Sequence, residues 1–95
     1  MGKEDKKDKQ NLFEAILSLQ TAKECEAFFD DLLTIAELQA AVQRYKVAGL
    51  LDEGNTCNGG AQMTGASTAT VSRVNKCLNY GTGYRLVLDR KKQNK

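Results

Sequence analysis

The stretch Gly65–Leu78, GASTATVSRVNKCL, decides how this chain folds. Val71, Val74 and Leu78 recur in it at helical spacing. Ser67, Thr68, Thr70, Ser72 and Asn75 supply short polar groups, and Arg73 and Lys76 add two cations. The pattern predicts a helix over about Thr68–Asn79 that packs through its aliphatic stripe and turns the other side outward. Gly65 reads as the turn of a helix-turn-helix over about 56–79. Ala61, four residues earlier, is small enough for two helices to cross closely. Val71 and Val74, six and nine residues later, press the second helix onto the first. Ser67 stands where that second helix begins and suits an N-cap.

Outside the stripe lie Thr68, Ala69, Ser72, Arg73, Asn75 and Lys76. Short residues at the start of a helix let it approach base edges in a major groove. Hydroxyls and Arg contact bases, and Arg or Lys also neutralises phosphate. The positive end of the helix near Ser67 and Thr68 favours an anion. The candidate DNA-binding residues are therefore Ser67, Thr68, Ala69, Ser72, Arg73 and Lys76. The same composition also suits a plain solvated surface helix, so the turn spacing matters more than the polar face alone.

Working outward, "TAKE" and "TIAE" are two capping boxes, with Thr21 answered by Glu24 and Thr34 by Glu37. They open a second helix burying Cys25, Phe28, Phe29 and Leu32, and a third over about Ile35–Asp52. Leu38, Ala41, Val42, Tyr45, Ala48 and Leu51 form the expected buried face of the third helix, and Gly54 its stop. A first helix is expected over about Asn11–Leu19, on Leu12, Phe13, Ile16, Leu17 and Leu19. Residues 1–9 lack apolar periodicity and read as a disordered charged tail. Residues 10–90 form one helical domain, and 91–95 a basic tail. "YRLVLDR" makes a short last helix, with strand as the competing reading. The helix before the turn, about Thr56–Met63, contains Gly59 and Gly60. Each costs roughly 1 kcal/mol relative to alanine in a helix interior, so that helix is expected to be short, frayed or poorly docked.

Ninety-five residues without proline, rich in Leu, Ala and Val, fit a single small all-α domain. The apolar residues of the first three helices exceed what so small a monomer covers, which predicts a homodimer. The net charge of +2 hides an asymmetry. Residues 1–54 carry seven Lys/Arg against eleven Asp/Glu, and residues 55–95 carry seven against one. The basic second half suits a polyanion, although Arg90, Lys91, Lys92 and Lys95 supply much of its excess near the C-terminus.

Several classes are excluded. Histidine is absent, and Cys25, Cys57 and Cys77 are widely spaced with no CxxC pair, which argues for reduced thiols and against zinc. No phosphate loop or metal-spaced carboxylate cluster is present, so an enzyme is not expected. The charged start has no apolar h-region, and no apolar run is long enough to span a membrane, so the cytoplasm is the expected location.

"TGASTATVSRVNKCLNYGTGYRLVLDR", with "FFDDLLTIAELQAAVQRYKVAGLLDEG" before it, resembles the Trp-repressor-like proteins of the YerC/YecD type across about Leu12–Arg90. The resemblance implies an all-α fold of about six helices, an intertwined dimer with a helix-turn-helix at each end, and DNA-binding transcriptional regulation in bacteria, as a repressor. The family pattern expects a larger apolar residue at position 60, a polar or acidic one at 59, and commonly an aromatic at 57. Gly60, Gly59 and Cys57 depart from it. By the same resemblance, Thr34, Arg44 and Arg73 occupy places that help hold the tryptophan co-repressor in Trp repressor. The glycine and serine that complete that pocket correspond to Val74 and Cys77. A tryptophan co-repressor is therefore not expected and no cofactor is implied, while a different small ligand stays open. The alternative function is a helical dimerisation or protein-interaction module in which the glycine pair has impaired the DNA-reading motif.

Overall fold

The computed structural model describes residues 3–94. Six helices follow one another among them: α1 (Lys3–Leu17), α2 (Ala22–Leu32), α3 (Ile35–Asp52), α4 (Cys57–Thr64), α5 (Thr68–Tyr80) and α6 (Gly83–Gln93). The all-α expectation and the number of helices hold for the described residues. "YRLVLDR" is helical. The chain divides into two compact units between Leu38 and Gln39, inside α3.

In the first unit, α1 begins at Lys3, well before the expected Asn11. Residues 3–9, expected to be disordered, are helical. Lys, Glu and Gln are good helix formers, Asp5 and Lys9 stand at a favourable four-residue spacing, and extending a nucleated helix is far easier than starting one. The part of that expected tail at residues 1 and 2 lies outside the described residues. Leu19 falls beyond the helix, with its N–H on the Ile16 carbonyl.

Both capping boxes form. The Thr21 hydroxyl accepts from the Glu24 N–H at 3.0 Å, while the Glu24 carboxylate accepts from the Gln20 N–H at 2.8 Å, one residue earlier than the usual reciprocal partner. At α3 the box is fully reciprocal: Thr34 Oγ1 accepts from Glu37 N–H at 3.1 Å, and Glu37 Oε1 accepts from Thr34 N–H at 2.8 Å. These two Thr34 contacts, the backbone one first, hold the Glu37 carboxyl below the ordinary carboxylate range. Phe28 and Phe29 meet edge to face with centroids 5.5 Å apart. Among the described residues of this unit, none is fully buried. Cys25, Phe28 and Phe29 are half-buried, and Leu32, expected inside, is exposed.

The second unit holds the core. Val47, Ala48, Ala66, Val71, Val74, Leu78 and Leu88 are buried together, with Leu51, Ala61 and Tyr84 packed against them. The face expected for α3 is therefore only partly right. Ala48 is buried and Leu51 half-buried, but Ala41 and Tyr45 are exposed and Val42 is 60% exposed. Val47 takes the central place instead. The core-facing side of the α3 C-terminal half runs through Val47, Ala48 and Leu51, a stripe rotated from the Ala41–Val42–Tyr45 one. α3 stops where Gly54 adopts φ +104°. The Asn55 N–H reaches the Leu50 carbonyl and the Gly54 N–H the Leu51 carbonyl, both at 3.1 Å, which is the Schellman pattern.

At the other end of this unit, α6 runs through Gln93, so residues 91–93 of the expected basic tail are helical; Lys95 lies outside the described residues. Lys92 Nζ lies 2.7 Å from Asp52 Oδ2, and an Arg85 guanidinium nitrogen 2.6 Å from Asp52 Oδ1. α6 is thereby fastened to the end of α3.

Candidate nucleic-acid interface

The turn between α4 and α5 is built from short side chains that satisfy the backbone. Thr56 caps α4, its hydroxyl accepting from the Gly59 N–H at 3.0 Å. Thr64, the last residue of α4, donates its hydroxyl to the Gly60 carbonyl at 2.7 Å and accepts from the Ala66 N–H at 3.1 Å. Gly65 takes the left-handed conformation (φ +73°, ψ +8°), which a residue with a Cβ rarely adopts, and returns its N–H to the Ala61 carbonyl. Gln43 of α3 braces the turn from outside, donating to the Thr64 carbonyl at 3.4 Å. Ala66 is buried inside the turn.

α4 is short, at eight residues, as its two glycines suggested. It is nevertheless regular and docked, contrary to the expectation of a frayed or poorly docked helix. Gly60 is buried, and a Cβ placed on it would meet Leu51 Cδ2 at 3.7 Å. That is an ordinary van der Waals separation, so α4 docks beside Leu51 with room for a methyl group at position 60. Ala61 packs against the core one residue later.

α5 begins at Ser67, whose hydroxyl accepts from the Thr70 N–H at 3.1 Å and stands 3.0 Å from Thr70 Oγ1. Val71 and Val74 are each 1% exposed and Leu78 is buried. Three aliphatic positions at i, i+3 and i+7 thus fix the helix's rotation about its axis. The opposite side is open: Ser67, Thr68, Ala69, Ser72, Arg73 and Lys76 are all exposed. No acid occurs between Gly54 and Asp89, so this surface is cationic without internal neutralisation. Among the described residues, neither Arg73 nor Lys76 takes part in an ion pair.

The three residues named as a possible ligand set are divided between the two units. Thr34 lies in the first unit, and its hydroxyl is engaged as the α3 cap. Arg44 and Arg73 lie in the second unit, both exposed. Val74 is enclosed in the core, whereas Cys77 is exposed. Sequence reading missed the Asp52 cluster. The Asp52 side chain is 8% exposed between two cations that come from 33 and 40 residues further along the chain. Lys92 first, then Arg85, holds its carboxyl below the usual aspartate range, and Asp52 in turn raises the Arg85 guanidinium. Helical periodicity carries no signal for such a pairing.

Six helices with α4, a glycine turn and α5 packed on one aliphatic core define a helix-turn-helix protein. Comparison with known proteins narrows this class. The family model described as Trp repressor protein matches residues 7–92, and the chain belongs to that family. It is 53% identical over 88 residues to the uncharacterized protein YerC of Bacillus subtilis (strain 168), covering 92% of this chain and 85% of that one. A crystal structure of a TrpR-like protein from Eubacterium eligens ATCC 27750 is 49% identical, with TM-score 0.83, and covers 87% of each chain. A solved structure from Staphylococcus aureus is 41% identical, with TM-score 0.86, covering 97% of this chain and 96% of that one. The family is one of helix-turn-helix regulators rather than enzymes. No helix among the described residues is long and apolar enough to cross a membrane.

Proposed function

We propose that this protein is a cytoplasmic, homodimeric, sequence-specific DNA-binding repressor of transcription, reading a duplex through α5. The observation that carries the reading is the two-sidedness of α5: Val71, Val74 and Leu78 are buried, while Thr68, Ala69, Ser72, Arg73 and Lys76 are exposed. A helix held by one face and presenting short polar and cationic groups on the other suits insertion into a major groove. Arg73 is long enough to bridge two acceptors on a guanine edge, and Lys76 supplies a point charge for phosphate. Ser72 and the methyl groups of Thr68 and Ala69 are short enough for close approach. Ser67 contributes less through its hydroxyl, already engaged at Thr70, than through the helix start it fixes. The first N–H groups of α5 there point toward a phosphate.

Dimerisation is supported by the apolar surface the single chain leaves open. Ile35 is 79% exposed and Val42 60%, and Phe13, Leu17 and Leu32 are exposed as well. Such side chains in one small chain suit burial against a second copy. The interaction-module alternative relied on a helix disabled by Gly59 and Gly60; the docked α4 removes its main support. Selection of bound genomic fragments, followed by titration of those duplexes at several salt concentrations, tests the reading.

A further inference from the structure

The relatives of this chain raise the question of a tryptophan co-repressor. A ligand of that kind has two requirements. Its carboxylate needs a cation, and its indole needs an apolar slot open at one side. Arg44 and Arg73 could meet the first, since both are exposed. The second is not met along α5. Val71 and Val74 are each 1% exposed, and Leu78 is almost as enclosed. A glycine at position 74 would leave a gap the depth of an isopropyl group beside the helix backbone; here Val74's own carbons occupy it, in the same cluster as Val47 and Ala48. One turn on, Cys77 offers a thiol, a weaker hydrogen-bond donor than a hydroxyl. A surface groove of this unit lies along α6, between Gly81 and Gln93, and neither Arg44 nor Arg73 lines it.

We propose that Val74 fills from within the space a tryptophan co-repressor would need, so that the helix-turn-helix is set by the protein's own core and its duplex binding is independent of tryptophan. This rests on the DNA-binding reading for its second half only. The burial of Val74 in the shared core holds α5 in place whether or not an amino acid is present. The cationic end of Arg73 then stays available to DNA instead of to a ligand carboxylate.

The test uses the full chain in two measurements. Calorimetric titration with L-tryptophan needs no DNA, and the expected result is no saturable heat up to millimolar ligand. Duplex titration with and without tryptophan is expected to give affinities within about threefold of each other, whereas an allosteric effector changes affinity by about 5- to 150-fold. Saturable tryptophan binding, or a larger change in duplex affinity, overturns the proposal. If no duplex binds under either condition, the DNA reading fails, and calorimetry alone still decides whether the pocket is filled.

Discussion

Asp52 Oδ1 lies 2.6 Å from the Arg85 guanidinium, and its other oxygen accepts from Lys92 at 2.7 Å. One nearly buried carboxylate at the end of α3 therefore fastens both the start and the end of α6. Leu88, between those two cations in sequence, is buried in the same core. Asp52→Asn leaves the shape and removes the charge. It is expected to lower stability by roughly 1 kcal/mol, since both cations are partly solvated, read as a thermal midpoint lowered by several degrees at fixed protein concentration.

The same carboxylate predicts acid sensitivity. Its folded pKa is depressed from the ordinary value of 3.8, so its contribution is fully present above that value and is lost as pH falls through the lower folded pKa. Unfolding midpoints measured from neutrality down into the acid range are expected to drop below about pH 4. Asp52→Asn should flatten part of that drop; an unchanged acid profile would show that the ion pairs do not persist in solution.

Gly60→Ala is expected to stabilise the protein by about 1 kcal/mol, because alanine is the better helix former and its Cβ meets Leu51 at an ordinary 3.7 Å. Gly59→Ala gains less, because its Cβ falls 3.2 Å from the capping Thr56 hydroxyl. Urea unfolding of the two variants side by side gives the order. If Gly59→Ala proved the more stabilising, the docking of α4 on Leu51 would be wrong.

Ser67→Ala removes the cap of α5 and is expected to cost about 1 kcal/mol. Thr68→Ala, exposed and without a capping bond, should change stability by less than about 0.5 kcal/mol. Comparing their unfolding midpoints separates the residue that shapes the reading helix from one that only decorates it.

Sedimentation equilibrium at micromolar concentration is expected to give a dimer, and Val42→Glu to shift it toward monomer. A stable monomer for the unaltered chain would mean that the open apolar surface of α3 serves something other than a second copy.

Much of this fold was legible because its signals are local. The boxes at Thr21 and Thr34, the stop at Gly54 and the Gly65 turn each announce themselves within four residues, and the observed bounds of α3 are those expected. Burial was less legible. Two apolar stripes on α3, one through Ala41, Val42 and Tyr45 and the other through Val47, Ala48 and Leu51, merge into one when read by period alone. Residues 3–9 gave no apolar period, so a helix sustained by propensity and charge spacing went unseen. The candidate site was legible in its inner face: Val71, Val74 and Leu78 are buried as their spacing requires. The docking of α4 was not legible, because a glycine's cost is a property of its helix, whereas the neighbour it packs beside, Leu51, lies nine residues away. Lys92 looked like a solvated tail charge for the same reason, its partner being distant in sequence.

The central claim is that the outward side of α5 reads DNA. Its most direct measurement is the affinity of the unaltered protein, Arg73→Ala and Lys76→Ala for a duplex recovered by genomic selection, titrated across salt concentrations with folding checked by circular dichroism. Both variants are expected to bind more weakly. Lys76→Ala should reduce the salt slope by about one and weaken all sequences alike, whereas Arg73→Ala should cost about 1–3 kcal/mol and relax sequence preference. Folded variants that keep the full affinity and salt dependence would contradict the account.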